Sequence, residues 1–256
     1  MAQWNIPGGK LPPFSRTVQD GAVTLRSEAK ESSVTIVQTD GAASYQLAQD
    51  GAYLPCNRQG QPFESDLLMN TFGSDATPPA RSAYLAPSPV ALSNLSALYQ
   101  VANVAVESAA PKTTKRCDIS QGTVLLAVVL RNPTAKQTFF YQLSLDLVCG
   151  PFQLEKRQAL CESRQRHPEA GYFFTSNPFG ADDWLPLITG SWIGPGTNHL
   201  KVDILPRIRE LIAKGPEAMD RNPAHWVIGS SFHGQHIWGD LRMSSNWSDV
   251  NLIAAQ

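Results

Sequence analysis

Thr123-Val-Leu-Leu-Ala-Val-Val-Leu130, Arg131-Asn-Pro-Thr-Ala-Lys136 and Gln137-Thr-Phe-Phe-Tyr-Gln-Leu-Ser-Leu-Asp-Leu-Val148 run consecutively, and their reading decides the fold. Two runs rich in β-branched and aromatic residues flank six turn-forming residues, the pattern of an antiparallel hairpin. In the second run Phe139, Tyr141, Leu143, Leu145 and Leu147 alternate with Phe140, Gln142, Ser144 and Asp146. Successive side chains on a strand project to opposite faces, so one face is expected to be core and the other wet, as in an antiparallel sandwich.

Working outward, Val23–Arg26 and Ser33–Thr39 also alternate, and Asp40-Gly41 and Asp50-Gly51 are turn dipeptides about one short strand apart. Residues 1–20, with Pro7, Gly8, Gly9, Pro12 and Pro13, read as irregular. Residues 72–92, with Pro78, Pro79, Pro87 and Pro89, read as a long Pro-rich surface loop inside one domain spanning 1–256. Val101–Val106 and Tyr172–Thr175 are strand-like. Val202–Gly215 predicts the chain's one persuasive helix: Asp203 caps it, Pro206 sits in its first turn, Ile208, Leu211 and Ile212 form its apolar stripe, and Gly215 stops it. The last thirty residues read as a tryptophan-rich strand pair. In His225–Phe232, Trp226, Ile228, Ser230 and Phe232 share a face, His233-Gly234 makes a tight connection, Gln235–Asp240 continues, and Ser245–Ile253 closes the sheet. Strands do not alternate with helices, which disfavours a doubly wound parallel sheet. The expected fold is mainly β, an antiparallel β-sandwich with one short helix.

Composition bounds the function. Hydrophobic residues make up 42% of the 256, enough for a sizeable core, whereas charged residues are scarce at 17%. Polar duty falls on Ser, Thr, Asn and Gln, a profile common in extracellular and phage-type β-proteins. The net charge of −1 supplies no footprint for nucleic acid or an anionic membrane. No run approaches the ~20 apolar residues of a spanning helix, and the N-terminus lacks the basic start and apolar stretch of a signal peptide. An extracellular, phage-associated or secretion-associated setting is favoured. Of the four cysteines, Cys149 and Cys161 flank eleven residues and are expected to clip a surface loop as a disulfide, with buried free thiols as the alternative; Cys56–Cys117 would follow by elimination.

Chemical motifs are few. There is no Gly-x-Ser-x-Gly, and Gly8-Gly9-Lys10 lacks the remaining residues of a phosphate-binding loop. No cofactor is expected. His233 and His236 with Asp240 nearby would suit a first-row metal, but positions three apart on an extended strand point to opposite faces, so no metal site is expected. Asn94-Leu-Ser and Asn246-Trp-Ser fit the glycosylation sequon.

The run Trp226-Val-Ile-Gly-Ser-Ser-Phe-His-Gly-Gln-His-Ile-Trp238-Gly resembles the C-terminal strand of concanavalin-like jelly-roll proteins, closest to glycoside hydrolase family 12. In that family a strand ends in Gly-x-Glu or Gly-Glu followed by an aromatic, and this glutamate is the general acid/base. The resemblance covers about thirty residues and implies the jelly-roll form of that β-sandwich and a liking for sugars. Here the position is Gln235, a neutral amide that neither takes up nor delivers a proton at useful pH. Glu64 and Asp146 are the remaining carboxylates that could partner such a position. No catalytic residue is assigned.

Aromatic rings carry the remaining signal, because sugars offer apolar C–H faces alongside hydroxyls. Trp184, Trp192, Trp226, Trp238 and Trp247 all fall in the last third. Trp226 is expected in the core, while Trp184 beside Asp183, and Trp238 beside Gln235, His236 and Asp240, are the candidate carbohydrate-binding residues. The leading function is a non-catalytic glycan-binding module. A polysaccharide hydrolase or lyase is the alternative, with Arg164, Arg166, His167, Glu169 and Tyr172 as a lyase's first place to look; a structural or assembly protein of a phage or secretion system is a further alternative.

Overall fold

The computed structural model describes residues 2–3, 14–27, 32–39, 42–51, 64–73, 90–111, 121–149, 172–176, 197–239 and 241–256. Two β-sheets carry almost all of them. The six-stranded sheet has the order β1 (Ala2–Gln3), β6 (Glu64–Gly73), β12 (Val227–Trp238), β8 (Gln121–Asn132), β9 (Gln137–Cys149), β10 (Tyr172–Ser176). The seven-stranded sheet has the order β11 (Asn198–Asp203), β7 (Ala97–Pro111), β13 (Leu241–Ala255), β5 (Ala42–Asp50), β4 (Ser32–Thr39), β3 (Ala22–Ser27), β2 (Phe14–Gln19). The chain passes repeatedly from one sheet to the other, as in a jelly-roll sandwich. All pairings are antiparallel except β10 on β9, which is parallel.

The hairpin that opened the sequence reading is present as β8 and β9, in register from Asn132↔Gln137 to Gln121↔Cys149 with one shift at Val124/Leu125. Phe139, Tyr141, Leu143 and Leu145 are buried in the main core, as their alternation predicts. The opposite face departs from expectation. Gln142 and Ser144 are buried, and Phe140 packs against a second cluster of Leu125, Ala127, Val129 and Phe232. The middle of this sheet is therefore covered on both sides, not wet on one.

The tail is corrected more deeply. β12 runs unbroken through His233-Gly234, pairing with β6 on one side and β8 on the other. A Cβ at position 234 would lie 2.1 Å from the Leu67 carbonyl oxygen, so glycine here permits a close approach to β6 and makes no turn. The actual turn is at Gly239, where φ is +70°. β12 and β13 are not a pair: they lie in different sheets and face one another across the core. A register shift between Ile228 and Ser230 also breaks the expected alternation. Trp226 and Ile228 point into the main core, whereas Phe232 belongs to the second cluster.

The helix, α1, spans Leu205–Ala213 with Pro206 in its first turn and Ile208, Leu211 and Ile212 buried. Asp203 acts from one residue before the cap: its Oδ1 accepts from the Leu205 N–H (3.1 Å) and the Leu98 N–H (3.0 Å), fixing the helix start to β7. Arg209 Nη2 donates to the carbonyls of Leu92 (2.5 Å) and Leu95 (2.7 Å), tying the helix to the chain before β7.

The N-terminal region, read as irregular, contains β1 and the β2–β3 hairpin, closed by Asp20-Gly21. Residues 72–73 belong to β6 and Leu92–Asn94 form a 3₁₀ turn; 74–89 lie outside the described residues. Cys56, Cys117 and Cys161 also lie outside them, and Cys149 is the last residue of β9. Among the described residues no helix is long and apolar enough to cross a membrane.

Candidate functional site

β12 carries the positions that resembled a catalytic strand. Its register with β8 sets which face each side chain takes: Gln235 pairs with Val124 and His233 with Leu126, both core-facing, while His236 pairs with Thr123. Gln235 is fully buried between the sheets. Its Oε1 accepts from Ser245 Oγ (2.6 Å), and its Nε2 donates to the Met243 carbonyl (3.2 Å). Trp247 Nε1 in turn donates to Ser245 Oγ (2.9 Å). An indole, a hydroxyl and an amide thus form a chain from β13 to β12 that satisfies polar groups in a dry interior. The amide supplies both a donor and an acceptor to this chain, a combination an ionised carboxylate cannot offer.

His233 is fully enclosed beside this network, its ring centroid 5.4 Å from Tyr45 and 5.3 Å from Trp247. Burial pushes its pKa down to about 3, so the ring is neutral at physiological pH. His236 is also buried, but on the other side of the sheet. The two imidazoles do not converge.

Of the six residues that the sequence singled out, Gln235 and His236 are thus interior. The Trp238 backbone ends β12, in register with Glu64 and Gln121; its side chain, and Asp183, Trp184 and Asp240, lie outside the described residues. Asp146 occupies the same register row as Gln235, through Val124. The charged loop 162–169 is likewise outside the described residues.

The solvent-facing side of the seven-stranded sheet is different in character. One register row reads Thr17, Thr24, Thr35, Gln46, Asn246, Ala105 across β2, β3, β4, β5, β13 and β7. The next reads Gln19, Ala22, Val37, Ser44, Ser248, Asn103, His199, ending on β11. These side chains are exposed or half-buried. Several are held in place by one another. Glu107 accepts from Gln46 Nε2 (3.1 Å) through one carboxylate oxygen and from Asn246 Nδ2 through the other. Asn103 Nδ2 donates to Ser248 Oγ (3.2 Å) and to Asp249 Oδ2, while its Oδ1 accepts from His199 Nδ1 (2.6 Å). Since that oxygen can only accept, the His199 proton sits on Nδ1.

Asp249 has φ of +51°, in the left-handed region, at the register shift between Ser248 and Asn251 in β13. Aspartate tolerates this conformation better than most residues, and a bulge in mid-strand re-aims side chains out of the pleat. Tyr99, with Lys201 Nζ 4.7 Å over its ring, and the exposed Ile253 give the same face an apolar patch at the β7–β11 side. Sequence reading missed this face because its residues are scattered over seven strands and no local motif joins them.

Among the described residues, an open pocket of about 610 Å³ lies at the β8–β9 turn, lined by Arg131, Asn132, Pro133, Lys136, Gln137 and Thr138. Asp220 anchors the neighbouring loop to it. Its carboxylate accepts from Asn132 Nδ2 (2.9 Å), His225 Nδ1 (2.7 Å) and the Asn222 N–H (2.9 Å), and its carbonyl accepts from Trp226 Nε1 (2.8 Å). The Asn222 N–H first, then His225 and Asn132, hold this carboxyl below its usual range. With both His225 nitrogens occupied, by Asp220 and Asn222, this cluster is a loop fastening.

No protein-family profile and no curated protein matches the chain. Among solved structures, the chain is similar to the family 11 xylanase from Neocallimastix patriciarum, at 8% identity and TM-score 0.45 over all of both chains. It is similar to endoglucanase 3 from family GH12 of Trichoderma harzianum, at 10% identity and TM-score 0.45 over 98% of each. A family 12 xyloglucanase from Bacillus licheniformis aligns at 10% identity and TM-score 0.39, over 94% of this chain and all of that one. The sandwich is established by the strand pairing itself, and neither substrate nor chemistry is taken from these likenesses.

Proposed function

We propose that this domain is a non-catalytic glycan-binding module, acting in an extracellular, phage-associated or secretion-associated setting. The observation that carries the reading is the solvent-facing side of the seven-stranded sheet. It offers in-register rows of Thr, Ser, Asn and Gln, with Asn103, Gln46 and Asn246 held by Glu107, Ser248 and Asp249. Strands lie ~4.8 Å apart, and same-face residues repeat about every 6.8 Å along each strand. A surface of that grain presents amides and hydroxyls at sugar-sized intervals, already oriented, so binding need not order them afresh. Tyr99 and Ile253 would meet the apolar face of a pyranose. The aromatic platform read in the sequence, Trp184 with Asp183, and Trp238 with Asp240, belongs to the proposal as a second contact region.

Binding to a glycan array and pull-down on insoluble cellulose, xylan and chitin test this. Asn103→Ala combined with Asn246→Ala is expected to weaken binding at least tenfold, the size expected for losing two net hydrogen bonds to the sugar, with the fold retained and only a modest drop in melting temperature from the lost surface bonds. Trp184→Ala reports on the second region. Absence of binding to every glycan at millimolar concentration would sink the proposal, and release of reducing or unsaturated sugars would replace it with the enzymatic alternative.

A further inference from the structure

The outer edge of the seven-stranded sheet is β2, which among the described residues pairs only with β3. Ser15, Arg16, Thr17, Val18 and Gln19 are all exposed, and Val18 keeps 57% of its surface in water. An uncovered edge strand is a template for another strand, and proteins ordinarily blunt such edges.

Which backbone groups this edge offers follows from the turn. Gln19 and Ala22 flank the two-residue loop Asp20-Gly21, whose φ values of +49° and +78° are those of a type I′ hairpin. The pair flanking such a turn is hydrogen-bonded, and bonded pairs alternate with non-bonded ones along an antiparallel ladder. Gln19, Thr17 and Ser15 therefore spend their N–H and C=O groups on β3. Val18 and Arg16 direct theirs outward, away from the sheet.

We propose that this edge pairs with β2 of a second copy of this chain, antiparallel, about a two-fold axis at Thr17. In that register Arg16 and Val18 of one copy each exchange two backbone bonds with Val18 and Arg16 of the other, satisfying the four outward groups that these two residues present on each edge. The exposed Val18 lies under the aliphatic stem of the partner's Arg16. The competing register centred on Arg16 sets two guanidinium groups directly opposite, which like-charge repulsion disfavours. The edge's one cation thus selects the Thr17 register.

A consequence reaches the polar face. Thr17 opposite its own copy makes the row Gln46, Thr35, Thr24, Thr17 continuous with the same row of the partner, on the same side of a fourteen-stranded sheet, twice the seven observed. The pairing itself does not depend on that face binding glycan. A five-residue ladder falls short of the roughly 1,200 Å² of a standard stable interface, so the dimer should form only at high protein concentration or on a repetitive surface.

Sedimentation velocity at rising concentration, up to about 1 mM as the weak end of the affinity scale, reads the association. Val18→Pro removes an outward N–H without touching a β2–β3 bond and should leave a folded monomer at all concentrations. Thr17→Cys reads the register independently of that variant. Cβ atoms of a non-hydrogen-bonded pair approach to about 4.5 Å, within reach of a disulfide. It should therefore cross-link in a glutathione buffer well above the background of the native four cysteines. Ser15→Cys, equally exposed on the same face but four positions out of register with itself, should not. A monomeric mass throughout, with Thr17→Cys cross-linking no better than Ser15→Cys, would overturn the proposal.

Discussion

Replacing Gln235 by glutamate restores the carboxylate that the resembling family carries there, and the structure gives a definite outcome: no hydrolase, and a pH-dependent loss of stability. The Gln235 side chain is fully buried, and its Nε2–H donates to the Met243 carbonyl at 3.2 Å. In Gln235→Glu, an ionised side chain would place a negative oxygen against that carbonyl in a dry interior; protonated, its O–H could donate there in the amide's stead. The folded-state pKa must therefore rise above the unfolded ~4.3, into the range of about 8–9 documented for buried Glu. The folded state then holds a proton that the unfolded state has released. The proton-linked part of the loss is thus small near pH 4.5 and grows as pH rises, by about 1.4 kcal/mol per unit until the folded pKa is reached. At pH 7.5 the accumulated cost is about 4 kcal/mol, on top of about 1 kcal/mol for the altered hydrogen bonding. Urea denaturation of both proteins at pH 4.5, 6 and 7.5 measures the difference, and taking it at each pH cancels every other titrating group. A variant as stable as wild type at pH 7.5 would mean that position 235 reaches solvent, and the interior placement would be wrong. Appearance of glycanase activity would refute it too.

Four further outcomes follow, three from the same interior and one from the exposed β2–β3 turn. His233 is neutral when folded, with a pKa of about 3 against about 6.5 unfolded, so the unfolded chain binds the extra proton. Stability should fall as pH drops from about 6.5 towards 3, by about 3 kcal/mol at pH 4.5, and His233→Phe should flatten that part of the wild-type profile in urea titrations. Gly234→Ala would drive a Cβ to 2.1 Å from the Leu67 carbonyl oxygen, backbone that cannot step aside; a loss of more than about 3 kcal/mol or failure to fold is expected. Gly21→Ala, with nothing within 4 Å but φ of +78°, should cost only about 1 kcal/mol by the same measurement. Trp247→Ala empties a fully enclosed site and removes the indole N–H that donates to Ser245 Oγ, for about 3–5 kcal/mol by chemical denaturation.

The strands that could be read from the sequence are those where local pattern and tertiary environment agree. Thr123–Leu130 and Gln137–Val148 pair as a hairpin about the 131–136 turn, the alternation of the second run puts Phe139, Tyr141, Leu143 and Leu145 in the core, and the 202–215 stretch holds a helix over Leu205–Ala213 with its predicted stripe inward, its first two residues ending β11 instead. What escaped the reading depends on partners far away in the chain. Gln142 and Ser144 look solvent-facing, and only the covering of the sheet's second side makes them interior. Gly229 marks the register shift that turns Phe232 away from Ile228, and the signal was present: an isolated glycine within a strand pattern. A Cβ there would press on the Arg131 side chain and the Val129 carbonyl, at 3.0 and 3.1 Å. Asp20-Gly21 was likewise a strong hairpin signal, outweighed by the prolines before it. Nothing local could assign β12 and β13 to different sheets, because a hairpin and a crossover present the same alternation.

That assignment changes what the tail's aromatic pattern means. In a hairpin, Trp226, Trp238 and Trp247 would be neighbours on one sheet and could form a platform. With β12 and β13 in opposing sheets, Trp226 and Trp247 both point inward and are buried, and the Gln235–Ser245–Trp247 chain bridges the two layers. An amide at 235 is then explained by packing alone. It fills a core position that needs one donor and one acceptor, at about 1 kcal/mol net for each bond made and considerably more for each left unmade. An ionised glutamate there would require the site to be wet, and so would require the sheets to part. The same sequence feature that suggested a lost catalyst therefore argues for a sandwich whose interior is sealed at this point. Any sugar contact must be sought outside the core, first on the side of the seven-stranded sheet where the polar rows face solvent.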